Sequence, residues 1–275
     1  MKPVWNEVPV LQAVAYEGRG GHGGSRPILL RLEDGRVAHV KLQHNPQSTR
    51  SLASDWIGTL LGLGLGAPFP KVILVNLPWE HLPRIPQLVR IRWRPGLQFA
   101  TEYIPAARPV SPRIDWPTVT NWQDLPLIAL VESWLHNQDV KFSHLLVAGE
   151  DARALRLVAT DHGFILPGGP GWTVEGLRGR RYHFPGVGPI SQLAMSLPLR
   201  FDFRAAVSAC TGVTDRELAE LVDSTPKEWE LSTRRRRALV DFLRHRRDRL
   251  AGVARHLEEL WNHGKPPTAA VAGGG

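Results

Sequence analysis

The chain has 275 residues, 43% of them hydrophobic and 22% charged, enough to bury a sizeable core in one large or two modest domains. Its 34 Lys and Arg against 26 Asp and Glu give a net charge of +8, which favours anionic partners such as nucleotides, nucleic acid or acidic protein surfaces without choosing among them. The single cysteine, Cys210, excludes an intrachain disulfide and a thiolate zinc site and fits a cytoplasmic setting. No stretch reads as a signal peptide or a transmembrane helix, because the longest uncharged apolar run, 56 to 70, is short and glycine-rich.

In chain order, ILLRL (28–32) and VAHVKL (37–42) flank Glu33-Asp34-Gly35-Arg36, and two short apolar strands around Asp-Gly predict a hairpin. STRSLASDWIGTLLG (48–62) predicts a helix ending near Gly62 or Gly64. KVILVNL (71–77), LVRIRW (88–93) and FATEYI (99–104) predict strands, and the proline-rich 106–122 a connector. LPLIALVESWLHN (125–137) is apolar at helical spacing, and LRLVATDHGFIL (155–166) reads as a strand stopping at Asp161-His162-Gly163. Residues 167–190, rich in glycine and proline, predict a long irregular loop.

From Phe203 the pattern is helical, broken at Pro226, with a last long helix from about Thr233 to Trp261 striped by Leu239, Leu243, Leu250, Val253, Leu257 and Leu260. Strands first and helices last predict an α+β chain of two lobes. The N-lobe, mainly antiparallel β, takes 1–105, the mostly helical C-lobe 106–265, and 266–275 is a disordered tail by composition.

The chemistry concentrates in HNQDVKFSH (136–144). Asp139, Lys141 and His144 follow a helix and precede an apolar strand, the layout of a kinase catalytic loop. In that layout the acid accepts the proton of an attacking hydroxyl, the lysine neutralises the transferred phosphoryl, and the residue at plus five holds a metal. Asn is usual at that last place, so His144 departs from the pattern; the alternative is a plain polar loop. Asp161, 22 positions after Asp139 and followed by His162-Gly163, occupies the place of a metal-chelating acid between phosphates, although Asp-x-Gly is also an ordinary turn.

Matching parts precede these in order. GRGGHGGSRP (18–27) carries Gly18, Gly20 and Gly23 in a phosphate-covering pattern of bare amides. Lys41 sits among apolar neighbours in a strand and calls for an anionic partner, or is a surface lysine. Asp55 on the next helix is the acid available to it. The basic run Arg234 to Arg237, with Arg244, Arg246, Arg247 and Arg249, is a solvated helix face or a surface for nucleic acid or an acidic protein. Trp56, Trp134 and Trp261 fall at core spacing, and Cys210 reads as a small buried hydrophobe.

GRGGHGGSRP, VAHVKL, SLASDWIGTLLGLGLGAPFP, GLQFATEYIP, WLHNQDVKFSHLLV and VATDHG, in this order, resemble the HipA-like kinases and, more distantly, the phosphatidylinositol 4-kinases, over about residues 8 to 262. The resemblance implies a two-lobed protein-kinase-like fold that binds ATP with Mg2+ or Mn2+ and transfers the γ-phosphoryl to a hydroxyl of a protein Ser or Thr. It implies Gly20, Gly21, Gly23, Gly24 and Ser25 over the phosphates and Lys41 on them, paired with Asp55. Glu102, Tyr103 and Ile104 become the adenine hinge, Asp139 and Lys141 the catalytic pair, Asp161 and His144 the metal ligands. The family's usual Glu and Asn stand here as Asp55 and His144. The alternatives are a pseudokinase serving as a basic binding module and a kinase of small molecules or lipid headgroups; no membrane partner is expected.

Overall fold

The computed structural model describes residues 1–21, 23–78, 94–110, 116–229 and 231–266. Strands β1 (Val10–Arg19), β2 (Ile28–Leu32), β3 (Val37–Lys41), β4 (Val72–Leu77) and β5 (Gly96–Glu102) form a closed barrel in the order β1-β2-β3-β5-β4. All neighbours are antiparallel except β1 and β4, whose parallel pairing of Val10 with Leu74 closes the ring. The predicted hairpin is β2–β3, with Gly35 at φ 86° in its turn. Strand alternation decides what each side chain does. Along β3, Ala38 and Val40 enter the barrel core with Ile28, Leu30, Ile73 and Val75, while His39 and Lys41 take the opposite face.

Helix α1 (Arg50–Leu65) lies against the barrel, buried almost all round, as expected of a helix apolar on every side. It runs past Gly62 and Gly64 and stops where Gly66 turns left-handed, φ 88°. The interior glycines serve close approaches instead of ending the helix. A Cβ on Gly58 would lie 2.7 Å from the Cβ of His162, and one on Gly62 would collide with the Phe69 ring.

A second sheet, β6 (Arg108–Pro109), β7 (Leu145–Ala148) and β8 (Arg156–Ala159), follows. Helix α2 (Leu125–Trp134) is wrapped by α4 (Gly188–Ser196), α5 (Arg204–Thr211), α7 (Thr233–Arg247) and α8 (Leu250–Asn262), with α6 (Asp215–Asp223) packed on α7. Trp56, Trp134, Trp261 and Cys210 are buried. No helix among the described residues is long and apolar enough to cross a membrane.

The expectations need several corrections. Strand β1 was not foreseen, and β5 begins at Gly96 and ends before Tyr103. The connector holds β6 and a turn of 3-10 helix, Trp116–Thr118. Helix α2 stops at Trp134, and the strand expected from 155 to the Asp161 turn forms only as β8. Residues 167–190 are not one irregular loop, because Thr173 caps α3 (Val174–Arg180) by accepting from Gly176 N–H and α4 starts at Gly188. The last long helix is two, separated at Asp248-Arg249, and Leu260 on its stripe is 40% exposed. The strand expected at 88–93 and all but the first residue of the expected tail lie outside the described residues.

Nor is the basic run only a solvated face. Arg246 is fully buried, its guanidinium donating to the carbonyls of Ser133, Trp134 and His183 and stacked on Phe184 and Phe242. A cation at the C-terminus of α2 meets the negative end of the helix dipole, although burial lowers its pKa to about 9. It fixes the point at which the chain leaves α2 for Asp139.

Candidate active site

Between the barrel and the β7–β8 sheet lies a cleft of about 570 Å³, within the size range of small-ligand sites. Its walls include Gly20, Gly21, Gly23, Ser25, Lys41, Asp55, Glu102, Tyr103, Ile104, Lys141, His144 and Asp161. Two expected site residues are not on the wall. Gly24 packs beside Gln47, whose amide a Cβ there would strike at 2.5 Å, and Asp139 is held by Lys141, Nζ to Oδ1 at 2.6 Å.

Lys41 is the centre of the charged part. Its Nζ donates to Asp55 Oδ1 and Oδ2 at 2.9 and 2.8 Å and to Asp161 Oδ1 at 2.8 Å. Burial works against the ammonium, yet the carboxylates of Asp161 and Asp55 outweigh it and raise its pKa. Asp161, also opposed by burial, is held well below the usual carboxylate range by Lys41. Asp55 is pushed up by burial, which Lys41 only partly offsets.

Helix α1 supplies one face of this arrangement by its period: Asp55, Gly58, Thr59 and Gly62 recur at three and four residues. Asp55 Oδ1 also accepts from the His162 backbone N–H at 3.1 Å, and Thr59 Oγ1 meets His162 Nδ1 at 3.0 Å. Asp161 sits at φ 69°, a strained value for a residue with a Cβ. That turn sends its carboxylate toward Lys41 and His162 into the interior, and Gly163 N–H returns to Asp161 Oδ1 at 3.3 Å.

The remaining wall residues follow from the strands. His39, one alternation from Lys41, bonds Gly20 O at 2.7 Å and anchors the glycine-rich turn; burial and then Lys41 lower its pKa. Ser25 is buried in that turn. The amides of Glu102 and Tyr103 donate to Lys71 O (2.9 Å) and Val37 O (3.0 Å). Among the described residues the amide of Ile104 has no partner.

His144 Nε2 lies 3.6 Å from Asp161 Oδ2, while its Nδ1 is buried without a partner. Among the described residues no three His, Cys, Asp or Glu side chains gather as a metal site. Asp161 and His144 are the two potential ligands that face each other in the cleft.

Sequence reasoning left three participants unassigned: Glu132, Asn137 and His162, all buried. The readable signal was a lone acid inside the apolar helix LPLIALVESW.

No protein-family model matches the sequence, and no curated protein matches it. Among solved structures, the Helicobacter pylori proinflammatory kinase CtkA is similar at a TM-score of 0.56 and 14% identity, over 90% of this chain and 96% of that one. The Golgi casein kinase is similar at a TM-score of 0.48 and 11% identity, over 94% of this chain and 72% of that one. Its structure with Mn/ADP bound gives 0.48 and 10%, over 95% and 77%. The barrel, the second sheet and the helices around α2 thus make up a kinase-like α+β fold.

Proposed function

We propose that the protein is an ATP-dependent kinase, nearest to the HipA-like group on its ordered motifs, that transfers the γ-phosphoryl to a protein Ser or Thr. The observation that carries this reading is the buried Lys41 shared by Asp55 and Asp161 at the floor of a glycine-rimmed cleft. A lysine held there in its charged form is positioned for phosphate oxygens. The amide of Ile104 receives adenine, and the turn held by His39 covers the phosphates. Asp161 and His144 hold a divalent ion, Mg2+ or Mn2+, whose bound charge offsets that of the phosphates. Asp139, beside Lys141 at the cleft mouth, orients the acceptor hydroxyl and takes its proton.

Phe142, between the wall residues Lys141 and Ser143, is exposed and offers an apolar contact to a polypeptide acceptor. A second reading, a basic binding module, draws on Arg178, Arg180 and Arg237. Their side chains are exposed and make no hydrogen bond or ion pair among the described residues, and Tyr182 lies under Arg181 and Arg249.

Incubation with labelled ATP and Mg2+ or Mn2+, followed by mass spectrometry of the protein and of casein as a general acceptor, separates the two. Kinase activity predicts phosphoserine or phosphothreonine in the wild type and none in Asp139→Asn, with nucleotide binding retained by the variant. Absence of label with either metal overturns the kinase reading.

A further inference from the structure

We propose that Glu132 is a positioning residue: its two carboxylate oxygens register the Asp139 loop against the Asp161-His162 turn. The proposal rests on the kinase reading for its consequence but on geometry alone for its substance.

Glu132 is 3% exposed on α2, where every other residue but Ser133 is apolar. A carboxylate in such surroundings is costly unless its oxygens are met by donors. One of them, Oε2, accepts from Asn137 Nδ2 at 2.7 Å. The other, Oε1, lies 3.3 Å from His162 Nε2, close but poorly aligned. Asn137 passes the constraint on, since its Oδ1 accepts the backbone N–H of Asp139 at 2.9 Å. Two hydrogen bonds therefore separate Glu132 from the backbone of the proposed catalytic acid.

The second arm reaches the other acid. His162 directly follows Asp161, its backbone N–H is bound by Asp55 and its Nδ1 by Thr59. A carboxylate can only accept, whereas the Thr59 hydroxyl can donate, so the neighbours select the tautomer with its proton on Nε2. Phe69 covers the ring at 4.5 Å, and Gly58 leaves the room that lets it pack on α1. Glu132 thus bonds the Asp139 loop through Asn137 and lies against the His162 ring, between the two acid-bearing segments. His136 at φ 57° and Asp161 at φ 69° flank these contacts on either side. Two backbone turns that strained persist only where neighbours over-determine them.

The network has a polarity that can be reversed. Asn137→Asp keeps an acceptor for the Asp139 amide but sets two carboxylates 2.7 Å apart in a buried site. Adding Glu132→Gln restores complementarity: the Gln amide donates to the carboxylate introduced at position 137, its oxygen accepts from His162, and the buried charge is unchanged. For a displacement of the order of 1 Å at the catalytic acid, Asn137→Asp is expected to lower kcat about a hundredfold. The KM for ATP and the ATP-induced thermal shift stay near wild type, because Lys41, Asp55 and the glycine turn are untouched. The double variant recovers at least about tenfold of that loss, a coupling that independent sites do not give.

The readout beside activity is hydrogen exchange of the full chain. Protection of the Asp139 amide is lost in Asn137→Asp and in Glu132→Ala and regained in the double variant. Circular dichroism and melting confirm that each variant is folded; if Asn137→Asp does not fold, Asn137→Ser with Glu132→Ala gives the same comparison by simple loss. Additive effects without recovery, or an Asp139 amide equally protected throughout, overturn the proposal. A wild type that transfers no phosphoryl overturns the kinase reading instead, and exchange alone then decides the role of Glu132.

Discussion

Replacing Lys41 with Met keeps an unbranched side chain of similar length and removes the one cation shared by Asp55 and Asp161. Two carboxylates would then face each other across a site in which Asp55 is 1% exposed. Breaking a buried ion pair by removing one partner costs about 3–5 kcal/mol. The low end applies here, since the side chain of Asp161 keeps 36% of its surface and water screens it. A chain of 275 residues has an unfolding entropy of about 0.6 kcal/mol/K, so a loss of about 3 kcal/mol lowers the melting midpoint by about 5 °C.

The pH dependence has a definite sign. Asp161 is depressed by Lys41, so its contribution is present above its ordinary value of 3.8 and lost as pH falls toward its lowered one. Lys41 is raised, so its contribution is full below 10.5 and lost only as pH rises through the higher folded value. The gap between wild type and Lys41→Met should therefore be widest from about pH 5 to 10 and narrow at both ends. Differential scanning calorimetry across that range is the assay. A midpoint within about 1 °C of wild type at pH 7, or a gap flat with pH, refutes the reasoning.

ATP with Mg2+ or Mn2+ at about 100 times its Kd should add about 2.7 kcal/mol and raise the midpoint by about 4–5 °C; Asp161→Ala should lose most of that shift. His144→Asn exchanges a nitrogen for an oxygen ligand, so transfer supported by Mg2+ should gain on that supported by Mn2+; an unchanged ratio of rates removes His144 from the metal. Gly58→Ala places a methyl group 2.7 Å from His162 Cβ and 3.2 Å from Ile165 Cδ1 and should cost about 1–3 kcal/mol; a variant as stable as wild type in urea titration would mean that α1 and the Asp161 turn are loosely packed.

Lys41 was legible because alternation in VAHVKL separates it from Ala38 and Val40, and Asp55 because it is the acid one helix further on. Asp161 was legible from the end of an apolar strand. Gly62 and Gly64 misled, since a glycine that ends a helix and one that admits an aromatic ring look alike until the ring is placed. Strand β1 was hidden because register shifts between Ala13 and Ala15 and between Tyr16 and Gly18 slip the phase of its inward positions, which breaks the strict alternation that marks a half-buried strand. The break at Asp248-Arg249 uses neither glycine nor proline and leaves no trace in the periodicity. Glu132 was the subtler loss: a charge in an apolar helix signals a partner, but its partners lie 5 and 30 positions away and only folding identifies them.

The barrel's strand order carries a consequence for how the protein is made. Strand β5 sits between β3 and β4, so neither has its second neighbour until residue 102 has left the ribosome, and β1 must await residues 74–76 to close the ring. Loop-closure entropy is met before these distant pairings repay it. During synthesis the β1–β2–β3 meander therefore has two open edges, each a template for pairing with another nascent chain. Closure removes both, and the finished barrel offers no edge for a further strand to extend.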